Sequence, residues 1–332
     1  MSTVPAAPPP ASLVAASNDA FGDLTTPYRG ALLAHSYRML GSIDDAEDAV
    51  QEALVRAWRS RATFTEAVSF RAWLYRIATN VCLDAIERRK RTYGSTGRRE
   101  VQPIPKTLID EPSAGPEARY DARESISLAF LTALQVLSPR QRGVLILRDV
   151  LGWRAAEVSD LLGMSVPAAN SALHRARQSL EATYAPAGTH GSAAAHTALG
   201  PRAARAPEPG RLRSLLDRYV RAWESADVAG LVSLLREDAI VSMPPGLTIV
   251  GATAIAEFLA SSVFAGRRIH LEPVNANAEA AFLIHSSAAD AAALEPYAVL
   301  AVEIDAESRI GRMSVFADPR LVARFVQTGA AA

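Results

Sequence analysis

The chain has 332 residues, with 35 lysines and arginines against 35 aspartates and glutamates, and its formal net charge is zero. This length predicts two or three domains, and the charge balance argues against a uniformly basic nucleic-acid coat while leaving local patches open. The single cysteine excludes a disulfide framework and a cysteine-rich zinc site, and it fits a reducing cytoplasm.

The sequence lacks the signature loops of several enzyme classes. Neither lysine, Lys90 or Lys106, follows a glycine, so there is no phosphate-cradling GxxxxGK loop, and HExxH, GxSxG and GxGxxG do not occur. No apolar run approaches the roughly 18 residues that span a bilayer, and the first twenty residues lack the basic start of a signal peptide. We therefore expect a cytoplasmic protein with no membrane partner, and we assign no catalytic residue, metal or cofactor.

Three segments rich in proline, glycine, alanine or serine lack an apolar period. Residues 1–19 predict a disordered tail, and residues 92–116 and 186–210 predict linkers, because such compositions cannot bury enough apolar surface to offset the entropy of ordering. The segments leave three blocks, which are residues 20–91, 117–185 and 211–328.

The first block predicts helices throughout. One helix begins at Ser42 or Asp44, and its apolar stripe leaves a strongly acidic outer face. That face carries Asp44, Asp45, Glu47, Asp48 and Glu52. Carboxylates near a helix N-terminus are favoured by the helix dipole, but the same face would also suit a protein partner with a basic surface. The local pattern leaves both interpretations open.

The next helix of this block has the clearest apolar period, from Phe70 to Ile86, and ends in a basic run. The run is Arg88, Arg89, Lys90 and Arg91. The predicted outer surface of the helix adds Arg71, Tyr75, Arg76 and Asn80. Such a mixture of cations, a ring and an amide holds single-stranded nucleic acid, whereas the alternative is a solvated basic end that complements the helix dipole.

The second block predicts a helix-turn-helix. Ser138, Pro139 and Gln141 form a capping box that opens one helix, and Gly163 lies in a short turn between the two helices that follow. The last helix leaves outside the polar residues Asn170, Ser171, His174, Arg175, Arg177 and Gln178. Such donors are typical of a helix that reads base edges, although a plain bundle with solvated arginines fits the same pattern.

The third block predicts two helices, then strands with one helix among them, which is an α+β domain. The strands are predicted over residues 239–243, 269–274, 281–286, 297–304 and 310–316. Candidate residues for an internal pocket are Trp223, Asp227, Met243, His270, His285 and Phe316. An Asp/His pair would serve as general acid and base, but a histidine on a strand is more often a surface or core residue. A catalytic pocket and a ligand-sensing pocket both stay open.

Two pairs of strings resemble a known family. DDAEDAVQEA (residues 44–53) and FRAWLYRIATN (residues 70–80) resemble domain 2 of the extracytoplasmic-function sigma factors of bacterial RNA polymerase. LSPRQR (residues 137–142) and LHRAR (residues 173–177) resemble their domain 4. The order of the strings and the linker between them also fit, so the resemblance covers residues 20–185 and implies two all-α domains.

This resemblance implies partners and roles for the candidate residues. The acidic helix would dock on the clamp coiled coil of the polymerase β′ subunit through Asp45, Asp48, Gln51 and Glu52. Residues 61–80 would bind the melted −10 element, above all through Arg76 and Asn80, with promoter phosphates held by Arg88, Arg89, Lys90 and Arg91. The −35 duplex would be read by Asn170, Ser171, His174, Arg175 and Arg177, with the β flap as a second polymerase contact. The linker at residues 92–116 would thread the RNA-exit region.

The third block resembles a SnoaL-like domain, an α+β cone of the nuclear-transport-factor-2-like fold. The matching residues are Tyr219 to Trp223, Asp227, Leu234, Leu235, Asp238, Ala239, Met243 to Pro245 and Gly251. Sigma factors with such an appended domain form a subset, and the chain resembles its SigG-type branch. That resemblance implies regulation within the same chain, through an intramolecular contact or a small-molecule ligand. A DNA-binding regulator joined to a working enzyme, and a repressor with a ligand-sensing domain, are the alternatives.

Overall fold

The computed structural model describes residues 17–65, 69–93, 101–108, 127–184, 209–244, 246–277, 279–288, 291 and 293–329. The predicted tail up to residue 16 and most of both predicted linkers lie outside the described residues. The chain forms two units: Met1–Gln102 with Leu108–Pro201, and Pro103–Thr107 with Arg202–Ala332.

The first unit is helical, as predicted. Its α-helices are α1 Asn18–Thr25, α2 Arg29–Leu40, α3 Ile43–Ser60, α4 Phe70–Tyr93, α5 Leu128–Leu134, α6 Pro139–Leu145, α7 Ala155–Leu162 and α8 Val166–Tyr184. Ser42 caps α3 by accepting a hydrogen bond from the Asp45 amide, and Ser138 and Gln141 form the expected capping box of α6. Gly41 and Gly163 end α2 and α7 at positive φ, where a side chain would be strained. The short helix α5 was not predicted, and α1 begins at Asn18, inside the predicted disordered tail of residues 1–19, because Ser17 caps it.

Buried side chains hold the N-terminal and C-terminal helices of this unit together. The guanidinium of Arg142 on α6 is 4% exposed and donates to the Met39 carbonyl at the end of α2 and to the Leu134 carbonyl on α5. The ring of Tyr75 on α4 packs against Trp153, which precedes α7, with 5.3 Å between the ring centroids. Because a buried cation needs several acceptors, these carbonyls explain how Arg142 is tolerated inside.

The second unit is the predicted α+β domain. It contains α9 Pro209–Glu224, α10 Val228–Leu234, α11 Ala252–Phe258 and α12 Pro319–Gly329, with strands β1 Leu235–Met243, β2 Leu247–Val250, β3 Arg267–Ala276, β4 Glu279–Ala288, β5 Glu295–Ile304 and β6 Ile310–Phe316. The strands form one sheet in the order β2-β1-β6-β5-β4-β3, in which β1 and β6 are parallel and the other pairs antiparallel. The sequence prediction missed the edge strand β2 and the final helix α12.

A short piece of the predicted first linker belongs to each unit. The amide of Gln102 donates to the Gly41 carbonyl, so residues up to 102 stay with the helices. Pro105 forms a β-bridge with Ala276 at the end of β3, and the Ile104 amide donates to the side-chain oxygen of Asn277 over 2.7 Å. Residues 103–107 therefore fold as part of the α+β unit.

Candidate nucleic-acid interface

The start of α4 and the residues after α3 form a cleft of about 390 Å³ in the helical unit. Its lining residues are Ser60, Thr63, Phe64, Thr65, Trp73, Arg76, Ile77 and Asn80. Arg76 and Asn80 are one helical turn apart on α4, and both are exposed. The cleft therefore brings together the two residues that were predicted to bind the melted −10 element.

Aromatic rings form the base of this cleft. Phe64 and Trp73 are 3% and 8% exposed, and their ring centroids are 5.5 Å apart. Around them, Thr63, Thr65 and Asn80 supply hydroxyl and amide groups, and Arg76 supplies a cation. An apolar recess with a polar rim suits a single unstacked base, which needs an apolar wall and hydrogen bonds at its edge.

Two features of this region differ from the sequence analysis. Tyr75 was expected on the nucleic-acid surface but is completely buried, because its ring packs against His35 and Trp153. The aromatic groups of the cleft are instead Phe64 and Trp73, of which Phe64 lies before α4, where no helical period marks it.

His35 lies in the core beneath α4. Its Nε2 is 2.9 Å from the Thr79 hydroxyl, which itself donates to the Tyr75 carbonyl, so Nε2 is the donor of the first bond. Burial, with a smaller contribution from the cation of Arg38, lowers the pKa of His35 to about 3. The imidazole therefore stays neutral in the folded protein near neutral pH.

The acidic face of α3 is partly neutralised by arginines. Asp45 pairs with Arg89 of the basic run at 3.4 Å, and Glu52 pairs with Arg56 at 2.7 Å, which in turn reaches Asp84 on α4. Hydrogen bonds that the Arg56 guanidinium donates to Asp84 and Glu52 raise its pKa. Of the predicted polymerase contacts, Asp48 and Gln51 are exposed and Glu52 is half-buried.

One exposed apolar residue lies on the same face of α3. Val55 is 44% exposed and follows Asp48 and Gln51 at helical spacing. A single exposed aliphatic side chain is ordinary on a protein surface, but beside exposed polar groups it adds apolar contact area to an interface that charges orient. Val55 was not predicted from the sequence. The signal that would have indicated it is its helical spacing from Asp48 and Gln51, which places it on the acidic face and not on the apolar stripe. We call Asp48, Gln51, Glu52 and Val55 the α3 stripe.

The basic run at the end of α4 is mostly solvent-exposed. Arg88, Lys90 and Arg91 are exposed, whereas Arg89 is half-buried by its contact with Asp45. Exposed cations on the turns of α4 that follow the cleft suit the phosphates of a strand that enters it.

Helices α7 and α8 form the predicted helix-turn-helix, with the turn at Gly163. The predicted −35 contacts Asn170, Ser171, His174 and Arg175 are all exposed on α8. Arg177 is different, because its guanidinium forms a bidentate pair with Asp149, at 2.7 Å and 3.1 Å. Hydrogen bonding to Asp149 raises the pKa of Arg177. Arg177 is therefore engaged inside the helical unit.

The α+β unit encloses a cavity of about 190 Å³ on the sheet face beneath α9 and α11. It is lined by Trp223, Val241, Met243, Phe258, Leu259, Ser262, Val263, Arg267, Ile269, Ile284, Ser286, Tyr297, Leu300, Met313 and Val315. Trp223 and Met243 thus lie where the sequence analysis placed them.

The other four predicted pocket residues have different surroundings. Asp227 caps α10 by accepting from the Gly230 amide over 2.8 Å. His270 pairs with Glu224 at 2.6 Å, and His285 pairs with Glu272 at 2.8 Å. Phe316 is buried but does not line the cavity. Since His270 and His285 alternate with the lining residues Ile269 and Ile284, they point to the other face of the sheet.

The described residues contain neither a metal-site cluster nor a membrane-spanning helix. No three His, Cys, Asp or Glu side chains of that part of the chain are arranged to hold a metal ion. Likewise, none of its helices is both long and apolar enough to cross a bilayer.

Three family profiles match the chain. Sigma-70 region 2 matches residues 24–92, sigma-70 region 4 matches residues 127–180, and the SnoaL-like domain matches residues 216–310. The first profile contains the cleft and the α3 stripe, and the second contains α7 and all but the last turn of α8.

Individual relatives cover different parts of the chain. The extracytoplasmic-function (ECF) sigma factor SigG of Mycobacterium tuberculosis is 45% identical over 242 residues, which are 68% of this chain and 61% of SigG. The chain thus spans about three-fifths of that relative. The ECF sigma factor SigW of Bacillus subtilis is 30% identical over 49% of this chain and 87% of its own length, and the sigma factor CnrH of Cupriavidus metallidurans is 34% identical over 85% of its length.

A solved structure has the same order of domains. The crystal structure of the M. tuberculosis ECF sigma factor SigJ matches 89% of this chain and 96% of its own, with a TM-score of 0.57 and 22% identity. The likeness shows a shared fold of helical regions followed by an α+β domain.

Proposed function

Because the chain belongs to the ECF RNA polymerase sigma factors, we propose that it binds core polymerase and directs promoter-specific initiation of transcription. The observation that carries the proposal is the cleft in which Arg76 and Asn80 face Phe64 and Trp73. In this role the cleft takes one base of the melted −10 strand, and Arg88, Lys90 and Arg91 hold the adjoining phosphates.

The α3 stripe is the proposed contact with the polymerase β′ clamp. Its exposed carboxylate Asp48 orients a basic partner surface, and Val55 supplies buried apolar area in the complex. The −35 duplex is contacted by Asn170, Ser171, His174 and Arg175 at the start and middle of α8. Arg177 takes a supporting role here, because Asp149 already occupies its guanidinium.

We further propose that the α+β domain modulates the sigma factor within the same chain. Residues 103–107, which connect the two sigma regions, are held by the bridge to Ala276 and by the side chain of Asn277. The reach of the connecting segment between the two sigma regions limits which promoter spacing they can span together. A domain that holds this segment shortens the free length of the linker and changes that reach.

Catalysis in the α+β cavity is not part of this proposal. Its described lining residues include no Asp, Glu, His or Cys, so none of them supplies a carboxylate, imidazole or thiolate base. Asp227, His270 and His285 each have a local partner instead.

The proposal is tested by run-off transcription with purified bacterial core polymerase and a library of promoter-length fragments from the genome that encodes the chain. The full chain should start transcripts at a set of sites with one shared upstream motif. Asn80→Ala should lose most of these transcripts while binding core polymerase as tightly as the unmodified chain, because it alters only the cleft.

Asp48→Arg should instead weaken polymerase binding, by roughly tenfold for a rim charge reversal worth about 1.4 kcal/mol. Glu87→Arg is the matched control, since Glu87 is an exposed carboxylate on α4 outside the α3 stripe. Absence of any specific transcript, or equal losses for Asp48→Arg and Glu87→Arg, would overturn the assignment of these surfaces.

A further inference from the structure

The cavity of the α+β unit has apolar walls and a polar opening. Eleven of its fifteen lining residues are apolar, and most of these, such as Leu300 and Met313, are buried. The four polar ones are Ser262, Arg267, Ser286 and Tyr297. Of these, Ser262, Arg267 and Tyr297 are exposed, so the polar groups mark the opening.

Arg267 is the charged residue of this opening, and its guanidinium is exposed to solvent. No other lining residue is charged, and no carboxylate of the described residues forms an ion pair with Arg267. Its neighbour Arg268 points elsewhere and donates to the Ala291 carbonyl over 2.7 Å. A guanidinium beside hydroxyl groups at the mouth of an apolar recess is the arrangement that binds a carboxylate with an apolar body.

Three irregularities of the backbone meet at this opening. After α11 the helix widens into a π-turn, Leu259–Val263, which carries three of the lining residues. Gly266, at a φ of 68°, turns the chain directly into Arg267. The pairing of β4 with β5 shifts between Ile284 and His285, next to Ser286. π-turns and bulges re-aim side chains and are common at binding sites, and these three set the shape of one opening.

We propose that the cavity binds a small organic acid with an apolar ring or chain, and that Arg267 holds its carboxylate. The volume of about 190 Å³ exceeds that of an engineered apolar cavity of roughly 150 Å³ that accepts benzene, so a single ring with a short acid arm fits. The proposal is one of binding alone, with no bond of the acid made or broken. Binding requires neither polymerase nor promoter, so it stands or falls independently of the proposed function.

The test uses the full chain and two probes of the same carbon skeleton, the anion 3-phenylpropionate and the neutral 3-phenylpropionamide. In ligand-observed NMR titrations the acid should bind with a Kd of about 1 mM, a value reasonable for so small a ligand, and the amide roughly tenfold more weakly. Arg267→Gln should reduce binding of the acid to the level of the amide. Arg268→Gln is the matched control and should bind both probes like the unmodified chain.

A second pair of variants tests the cavity itself. Val263→Trp should fill it and abolish binding of both probes, whereas Val326→Trp, on the exposed surface of α12, should bind both normally. Circular dichroism checks that each variant is folded. Equal affinity for acid and amide, unchanged binding by Arg267→Gln, or no saturable binding of the acid up to about 20 mM would each overturn the proposal.

Discussion

Substitution of Asn277 measures how strongly the α+β domain binds residues 103–107 of the connecting segment. The side-chain oxygen of Asn277 accepts a hydrogen bond from the backbone amide of Ile104 at 2.7 Å, and its backbone amide donates to the Ile104 carbonyl at 3.3 Å. Both residues are fully buried. The φ of Asn277, 46°, lies in the left-handed region, which asparagine tolerates better than most residues. Asn277→Ala removes the acceptor and places a methyl side chain in a strained backbone position.

The expected cost of Asn277→Ala is the sum of two contributions. A buried amide left without its acceptor costs about 1–3 kcal/mol. Left-handed backbone at alanine adds roughly 1 kcal/mol. The local free energy that keeps residues 103–107 docked should therefore fall by about 2–4 kcal/mol, which corresponds to roughly 30-fold to several-hundred-fold faster hydrogen exchange if exchange reports this opening.

Two further variants separate these contributions. Asn277→Gly relieves the backbone strain but still lacks the acceptor, so it should be less damaging than Asn277→Ala by about 1 kcal/mol. Asn277→Asp keeps an acceptor and tolerates positive φ but places a carboxylate in a fully buried site, so it should exchange faster than the unmodified chain, and by less when both are compared at a pH that protonates the carboxyl group.

The assay is hydrogen–deuterium exchange of the peptide that covers residues 101–108, read by mass spectrometry. Run-off transcription with core polymerase then reports whether release of the segment changes promoter use. Equal exchange in the unmodified chain and Asn277→Ala would refute the docking energetics. A faster exchange with unchanged transcription would instead refute modulation through this segment.

Three other predictions concern the helical unit. The pKa of His35 is about 3 in the fold against about 6.5 in the unfolded chain, so the unfolded state takes up the proton first as pH falls. Stability should drop by about 2 kcal/mol between pH 7 and pH 5, and His35→Gln, measured by urea unfolding at both pH values, should lose that part of the dependence. Arg177→Ala should lower the melting temperature while leaving promoter retention by the holoenzyme largely intact, and Arg175→Ala should do the reverse; the opposite pattern would make Arg177 the DNA contact. Val55→Asp should weaken core-polymerase binding in a pull-down titration by roughly tenfold, for a lost apolar contact of about 1.4 kcal/mol, whereas Val136→Asp, equally exposed in the turn after α5, should bind normally.

Local sequence patterns already determined most of the helical architecture. The capping residues Ser42 and Ser138, the turn at Gly163 and the long period from Phe70 act over three to seven residues, so they can be read from the chain alone. Arg76 and Asn80 could be paired for the same reason, because one helical turn separates them. The resemblance to sigma factors implied the polymerase and promoter contacts, which hydrophobic periodicity alone could not indicate.

Tertiary structure decided what lies far apart in sequence. Tyr75 is buried by Trp153, Arg177 is occupied by Asp149, and Ile104 is held by Asn277, which is 173 residues away. The apolar periodicity of α4 places Tyr75 near the boundary between the buried and exposed faces of the helix. Packing against Trp153 is what buries it. Likewise, the alternation of β3 and β4 decides that Ile269 and Ile284 line the cavity, so that His270 and His285 do not. These outcomes depend on which elements meet, and that depends on the packing of the whole core and not on any single segment.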